Sequence, residues 1–160
     1  MAAKDKAKSK EDGRKVVCKN KHAWFAYEIL ETYEAGISLL GTEVKSLREG
    51  RVNLKEAYAK VRDGEMFLVD VHISAYSHGN IQNHDPLRER KLLLHKREIR
   101  RLTGKVQERG LTLVPLQVYF KQGKAKVELG LARGRHLYDK RSVIKKRDER
   151  RDLMRQLKER

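Results

Sequence analysis

Two dipeptides, Asp63-Gly64 and Gln122-Gly123, each stand between two runs of alternating residues. AYAKVR and EMFLVDVHI flank the first, and LTLVPLQVYF and KAKVELGLA flank the second. Asp-Gly between such runs is a strong hairpin signal, because the two-residue turn that matches strand twist needs positive φ at both central positions. In the last run Val127, Leu129 and Leu131 recur at every second position, which directs them to one face. Pro115 has no amide hydrogen to give to a ladder, so its strand is expected to be edge-like or bulged there. WFAYEILETY and AGISLLG predict a third hairpin, turning at Glu34–Gly36.

Two segments between the hairpins carry helical signals. In GTEVKSLREG, Thr42 is placed to cap, Glu43 suits a helix N-terminus, Val44 and Leu47 share a face, and Gly50 terminates. In DPLRERKLLLHKREIRRLTGKVQERG, Leu92, His95, Ile99, Leu102 and Val106 follow helical spacing and Gly110 ends the run. Arg90, Arg97, Arg101 and Lys105 fall mostly on its other faces. Three consecutive leucines cannot all face inward on a helix, so Leu93 is a candidate for exposure. The pattern predicts a mainly β fold: a small closed six-stranded OB-like β-barrel with two to three flanking helices and a basic C-terminal tail. The expected divisions are a disordered basic arm over 1–19, the barrel over 20–132 and the tail over 133–160.

Charge is unevenly placed. The net charge is +16, with eight Lys/Arg against three Asp/Glu in the first 22 residues and twelve against five from Arg133 onward. Pro86–Arg109 adds nine against three. Clustered positive charge makes a field that attracts polyanions, and nucleic acid is the partner it indicates. The tail offers only Leu137, Val143, Ile144, Leu153, Met154 and Leu157 as apolar groups, too little to offset the ordering entropy of its backbone. It is expected to be disordered when free and helical when bound, since good helix formers dominate from Ser142. Cys18 is the only cysteine, so no internal disulfide forms. No apolar run approaches transmembrane length and the N-terminus lacks the apolar stretch of a signal peptide. A cytoplasmic protein with no membrane partner is expected, acting as a monomer.

Catalytic chemistry finds little support. His78, His84 and Asp85 are spaced like no zinc pattern, and no cysteine pair accompanies them. His72 alternates with apolar residues in a strand, and His22 and His136 sit in basic ends. GRHLYDK and REGRVN lack the spacing of a phosphate-binding loop. The chain is read as a binding protein without cofactor or metal. A generic OB-type RNA chaperone or ribosomal protein stays open as a rival, as does an RNA-processing enzyme built on the His78/His84/Asp85 group.

EAGISLLGTEVKSLREG (34–50) resembles the signature of the SsrA-binding protein family, also called SmpB. Asn20-Lys21, DPLRERKLLLHKREI (85–99), LVPLQVYF (113–120) and GLARGRHLYDKR (130–141) agree in order and spacing. The resemblance runs from about Asn20 to Lys146, and the pair Leu137-Tyr138 before the DKR triplet is a departure from it. It implies an OB-like body that binds the tRNA-like domain of transfer-messenger RNA (tmRNA). It further implies delivery, with EF-Tu and as alanyl-tmRNA, to ribosomes stalled on broken messages, with the tail entering the decoding centre and the empty mRNA channel. On the same basis Asn20, Lys21, Glu34, Lys91, Leu93, Lys126, Arg133 and Arg135 are expected to contact tmRNA. Tyr138, Asp139, Lys140, Arg141, Met154 and Leu157 are expected to engage the ribosome.

Chemistry gives these residues different tasks. Lys91, Lys126, Arg133 and Arg135 are expected to position an RNA through phosphates without specifying it. A carboxylate among phosphates is costly unless it accepts hydrogen bonds from base or ribose donors, which is the role open to Glu34; an ordinary turn carboxylate is the alternative. Tyr138 offers a ring for stacking, worth ~1–3 kcal/mol per base. Trp24 and the strand tyrosines are expected in the core.

Overall fold

The computed structural model describes residues 13–78 and 83–158, with Leu137 and Tyr138 by their backbone alone. In chain order the elements are β1 (Arg14–Lys19), α1 (Lys21–Ala26), β2 (Tyr27–Ile37), α2 (Gly41–Arg48), β3 (Val52–Asn53), β4 (Tyr58–Arg62) and β5 (Glu65–Val69). They continue with β6 (His72–Ile73), β7 (Arg90–Leu93), α3 (Lys96–Arg109), β8 (Thr112–Lys121), β9 (Lys124–Gly134) and α4 (Leu137–Lys158).

The two strongest turn signals form as expected. Asp63 and Gly64 adopt φ of 53° and 74°, and Gln122 and Gly123 adopt 52° and 74°. Both pairs thus have the doubly left-handed backbone that lets a two-residue turn follow strand twist. Arg62 faces Glu65 across the first turn and Lys121 faces Lys124 across the second. From these hairpins the sheet runs β8-β4-β5-β7-β2-β9 and closes by pairing β9 with β8, with β1 added outside β8. The six-strand ring is consistent with an OB-like fold. Leu68, Leu92, Leu113, Val127, Leu129 and Leu131 point into it, each at most 2% exposed. The register of β8 shifts between Pro115 and Gln117, the bulge that the missing proline hydrogen predicted.

The membership of the ring differs from the sequence reading in three places. There is no turn at Glu34–Gly36: β2 is one strand through Ile37, and residues 35–37 are buried. The sixth strand is instead β7, from a segment expected to be helical; Leu92 belongs to it, and α3 begins only at Lys96. Its helical spacing with His95 and Ile99 coincided with a strand alternation over Arg90–Leu93, whose positions are buried, exposed, buried, exposed. Finally, Arg14–Lys19 forms β1 against β8, so the arm ends earlier than expected; residues 1–12 lie outside the described residues. EMFLVDVHI also breaks: Asp70 takes φ of 59°, and β6 leaves the ring to pair with β3. Trp24, expected in the core, lies on α1 and is 52% exposed.

One buried ion pair ties α2 to β7. Arg90 is fully buried, and its Nε donates to Glu43 Oε1 at 2.8 Å. Its Nη1 donates to the Val71 carbonyl at 2.8 Å and its Nη2 to that of Pro86 at 3.1 Å. Glu43 is fully buried too; Oε2 accepts from Arg88 Nη2 at 2.7 Å and from the Leu40 amide at 2.8 Å. Glu43 therefore caps α2, while Thr42, expected to do so, hydrogen-bonds His84 Nδ1 at 2.9 Å. Burial would raise the Glu43 carboxyl, but the Arg88 hydrogen bond, the Leu40 amide and the Arg90 charge together hold it below the ordinary glutamate value.

Removing one member of a buried pair strands the other, at ~3–5 kcal/mol, so Glu43→Ala is expected to lose about that much in urea unfolding at pH 7. A depressed folded-state pKa means the Glu43 contribution is present above pH ~4.3, the ordinary glutamate value, and is lost as pH falls through the lower folded value. The gap between wild type and Glu43→Ala should therefore narrow on acidification below pH 4; a gap unchanged at pH 3 would contradict this account.

Candidate nucleic-acid interface

The ring brings one row of side chains across five strands. Gly36 on β2 faces Lys126 on β9 and Leu93 on β7. Lys126 faces Tyr119 on β8, which faces Val16 on β1. Residues directly opposite each other share a face. Two-residue alternation adds Glu34 beside Gly36 and Lys91 beside Leu93. Leu92 is 1% exposed and Leu93 56%, so the strand places one leucine in the core and the next on the surface. The exposure expected of Leu93 is present, but strand alternation produces it.

Gly36 is there for space. A Cβ built on it would meet the Leu93 Cβ at 3.2 Å, closer than ordinary contact. Its absence lets Leu93 lie across β2 beside a groove of about 540 Å³. Glu34, Gly36, Lys91, Leu93, Lys96 and Lys126 line this groove. Four sequence-predicted contacts, Glu34, Lys91, Leu93 and Lys126, thus come together. Lys91 Nζ donates to Glu65 Oε1 at 2.8 Å with both groups about half exposed. Such an exposed pair contributes only ~0.2–1 kcal/mol, so Lys91 can exchange it for a phosphate at little cost.

Glu34 is the acid in a basic cluster. Its Oε2 accepts from the Tyr119 hydroxyl and lies 3.4 Å from Arg14 Nη2 and 3.7 Å from Lys121 Nζ. Its Oε1 lies 4.0 Å from Lys126 Nζ. The Tyr119 hydrogen bond, then the charges of Lys121, Arg14 and Lys126, outweigh burial and hold the carboxyl below its ordinary value. At neutral pH it is an acceptor and nothing else. Burial, reinforced by the hydrogen bond to Glu34, raises the Tyr119 hydroxyl, which stays a donor. Arg14, Tyr119 and Lys121 were not found by sequence reasoning. The short apolar run Val16–Cys18 was the available signal for β1, obscured by the charged arm around it.

The other predicted contacts lie elsewhere. Arg133 faces Glu28 on β2, six positions from Glu34 or roughly 20 Å at the rise of a strand. Arg135 sits beside it, its amide on the Ala26 carbonyl at 3.0 Å and its Nε on that of Tyr27 at 3.1 Å. Lys21 opens α1 nearby and is exposed. Asn20 is 4% exposed and works inside the fold. Its Nδ2 donates to the carbonyls of Leu54 at 3.0 Å and Pro115 at 2.9 Å, and its Oδ1 caps α1 through the Ala23 amide at 3.1 Å. With both amide hydrogens committed to backbone, its observed role is to seat α1 on the bulge of β8, and the direct RNA contact expected of it is not what its geometry provides.

Helix α4 follows, a 22-residue element of roughly 33 Å at 1.5 Å per residue. It carries Asp139, Lys140, Arg141, Met154 and Leu157; the Tyr138 side chain lies outside the described residues. Met154 is 56% and Leu157 63% exposed. Arg147, Arg150, Arg151, Met154, Arg155 and Lys158 line a shallow recess along one face. Like charges at i,i+4 repel, as Arg147, Arg151 and Arg155 do here, so this face is suited to a polyanion. His84 serves the fold: its Nε2 donates to the Ile73 carbonyl at 2.9 Å while Nδ1 takes the Thr42 hydroxyl. Among the described residues no group of three or more His, Cys, Asp or Glu is placed to hold a metal ion. No helix among them is long and apolar enough to cross a membrane.

Residues 17–159 match the family model described as SmpB protein. The chain is 62% identical over 146 residues to an SsrA-binding protein of Syntrophobacter fumaroxidans, covering 91% of each chain. It is 57% identical over 150 residues to one of Thermosynechococcus vestitus, covering 93% of this chain and 99% of that one. A chain in a solved structure described as "tmRNA-SmpB: a journey to the center of the bacterial ribosome" is similar with a TM-score of 0.64 and 57% identity, over 75% of this chain and 85% of that chain.

The packing of Leu93 over Gly36 is open to a direct check. Gly36→Val should crowd Leu93 and lower stability by ~1–3 kcal/mol, the range for overpacking, with displaced Leu93 methyl signals in NMR. Gly41→Ala is the control, because a Cβ there meets nothing within 4 Å. Equal stability of the two variants in urea would show that Gly36 is not needed for the approach.

Proposed function

The chain belongs to the SmpB family, and from that premise we propose how its geometry divides the work of binding tmRNA and delivering it to stalled ribosomes in trans-translation. The groove bounded by Glu34, Lys91, Leu93 and Lys126 receives the tRNA-like domain of tmRNA. Helix α4 engages the ribosome, its basic face following the small-subunit decoding centre and the vacant mRNA channel. EF-Tu carrying alanyl-tmRNA is the accompanying partner, and the protein acts as a cytoplasmic monomer that binds and does not catalyse.

The observation that carries this reading is the groove itself. Lys91 and Lys126 supply charge for phosphates, which sets position and not identity. Glu34 supplies an ionised acceptor, which a phosphate cannot satisfy but a base amine or a ribose 2′-hydroxyl can. Leu93 supplies an exposed apolar surface where an unstacked base can lie. A folded RNA loop offers these three things together; a featureless polyanion offers only the first. Arg133, some 20 Å from Glu34 along β2 by strand rise, extends the basic track with Lys21 and Arg135 from the groove toward the root of α4. The tail residues Tyr138, Asp139, Lys140, Arg141, Met154 and Leu157 lie beyond that root, on an element whose main contact with the body is α1.

Glu34→Ala should weaken tmRNA binding by ~1.5–3 kcal/mol, the value of a hydrogen bond to a charged group, in filter binding at fixed salt with the fold intact by circular dichroism. Unchanged affinity would remove Glu34 from the interface. Truncation after Gly134 deletes α4 and should leave tmRNA affinity within about tenfold, since distant phosphate contacts act mainly through the salt-dependent term. It should abolish peptide tagging on stalled ribosomes in a reconstituted assay. Met154→Pro should reproduce much of that loss if the tail works as a helix, proline costing ~3 kcal/mol in a helix interior. Full tagging by the truncated chain would overturn the division of labour. Parallel loss of tmRNA affinity and tagging would indicate a general RNA binder.

A further inference from the structure

We infer that Tyr119 is a positioning residue for RNA recognition: it anchors Glu34 Oε2 so that Oε1 alone is offered to a hydrogen-bond donor on the bound RNA. This rests on the reading of Glu34 as an RNA contact. Tyr119 is completely buried and its hydroxyl donates to Oε2. Arg14 Nη2 at 3.4 Å and Lys121 Nζ at 3.7 Å also approach that oxygen, so its environment is filled. Oε1 has Lys126 Nζ at 4.0 Å, beyond hydrogen-bond distance, and Glu34 lines the groove. The Arg14 guanidinium lies 4.8 Å from the Tyr119 ring centroid and covers the ring from the β1 side.

The asymmetry has a chemical consequence. A glutamate on a strand is free to rotate, and three neighbouring cations would draw its carboxylate in three directions. The phenol supplies one directional bond from a fixed point in the barrel wall and so selects one orientation. The free oxygen then recognises a donor: an exocyclic amine, an imino group or a 2′-hydroxyl of an unpaired nucleotide. Tyr119 itself cannot touch RNA, because none of it reaches the surface. Any effect of its hydroxyl on recognition therefore acts through Glu34. In this scheme β1 is part of the recognition apparatus, because Arg14 closes over the ring that holds the carboxylate.

The test is a double-mutant cycle with the transcribed tRNA-like domain of tmRNA, in filter binding at fixed salt, on wild type, Tyr119→Phe, Glu34→Ala and the double variant. Tyr119→Phe should weaken binding by about tenfold, the effect of one hydrogen bond. The double variant should be no weaker than Glu34→Ala, since the hydroxyl has no other route to the RNA. Affinity for an unrelated RNA duplex should stay unchanged, whereas general structural damage would lower both. The acid side of the binding profile should also move to higher pH in Tyr119→Phe, because Glu34 loses the donor that most lowers its pKa. Additive losses, or a loss from Glu34→Ala with none from Tyr119→Phe, would overturn the positioning role alone. No loss from Glu34→Ala would overturn the underlying reading and this inference with it. Should Tyr119→Phe not fold, NMR of the wild-type protein decides: a Tyr119 hydroxyl proton protected from solvent exchange and shifted when Glu34 titrates supports the anchor, and one that exchanges freely overturns it.

Discussion

The buried pair of Glu43 and Arg90 is the interaction on which the proposed recognition surface depends. Arg90 is the first residue of β7, and its guanidinium is held at three points by Glu43, Val71 and Pro86. With that residue fixed inward, strand alternation leaves no choice for the next three: Lys91 goes out, Leu92 in, Leu93 out. A slip of one residue would send Lys91 and Leu93 into the core and Leu92 to the surface, and it would also strand a buried carboxylate. The pair therefore sets register as well as holding two elements together. It also joins the segment GTEVKSLR to the segment RERKLLLH, the two stretches that most clearly carry the family resemblance. Their specificity as a signature has a physical basis in the fold, since neither stretch can change at Glu43 or Arg90 without the other.

On the surface that this register creates, positive charge is abundant and acceptors are few. Most of the Lys and Arg side chains can serve any nucleic acid. Discrimination has to come from groups that phosphate cannot satisfy, and the Glu34 carboxylate and the exposed Leu93 are two of them within one cross-strand neighbourhood of the groove. Gly36 lies between them and contributes by lacking a side chain. The three cations around Glu34 lower the energy of its charge while leaving it partly accessible, with a third of its side-chain surface exposed. An acid can thus persist in a strongly basic protein without repelling the RNA that the protein is built to attract.

The parts of this architecture that were legible in sequence are those set by local chemistry. Asp63-Gly64 and Gln122-Gly123 read as turns because positive φ is a property of the dipeptide itself. Pro115 read as a bulge because its missing hydrogen is also local. Gly110 read as a helix end and takes φ of 61° there. Beside the helical spacing that masked β7, several misreadings share a cause: a residue whose role is set by a distant partner. Gly36 looked like a turn glycine and is a gap for Leu93. Asn20 looked like a polar surface residue and is committed to backbone 34 and 95 positions away. Arg90 looked like one more surface cation and is fully buried against Glu43. Of the candidate site, Glu34, Lys91, Leu93 and Lys126 were found through the resemblance. Arg14, Tyr119 and Lys121 were not, because their importance lies in what they do to Glu34.

The same distinction separates the body from the tail. Four of the cations around the groove are adjusted by a neighbour: Lys91 by Glu65, and Arg14, Lys121 and Lys126 by Glu34. In α4 the apolar residues Ile144, Leu153, Met154 and Leu157 stay 43–63% exposed, so tertiary packing contributes little to holding the helix. Its arginines are stacked at i,i+4 along one face, where they oppose the helix by ~0.2–0.5 kcal/mol per pair. Most helical stability in proteins comes from packing an apolar face, and α4 packs little of its own. Its stability is therefore coupled to whatever neutralises that face, and a polyanion that binds it stabilises the helical form by mass action. A body with preset contacts and a tail whose order is linked to its surroundings can hold one RNA while sensing a second environment, which is the physical requirement for a protein that must bind tmRNA before it meets the ribosome.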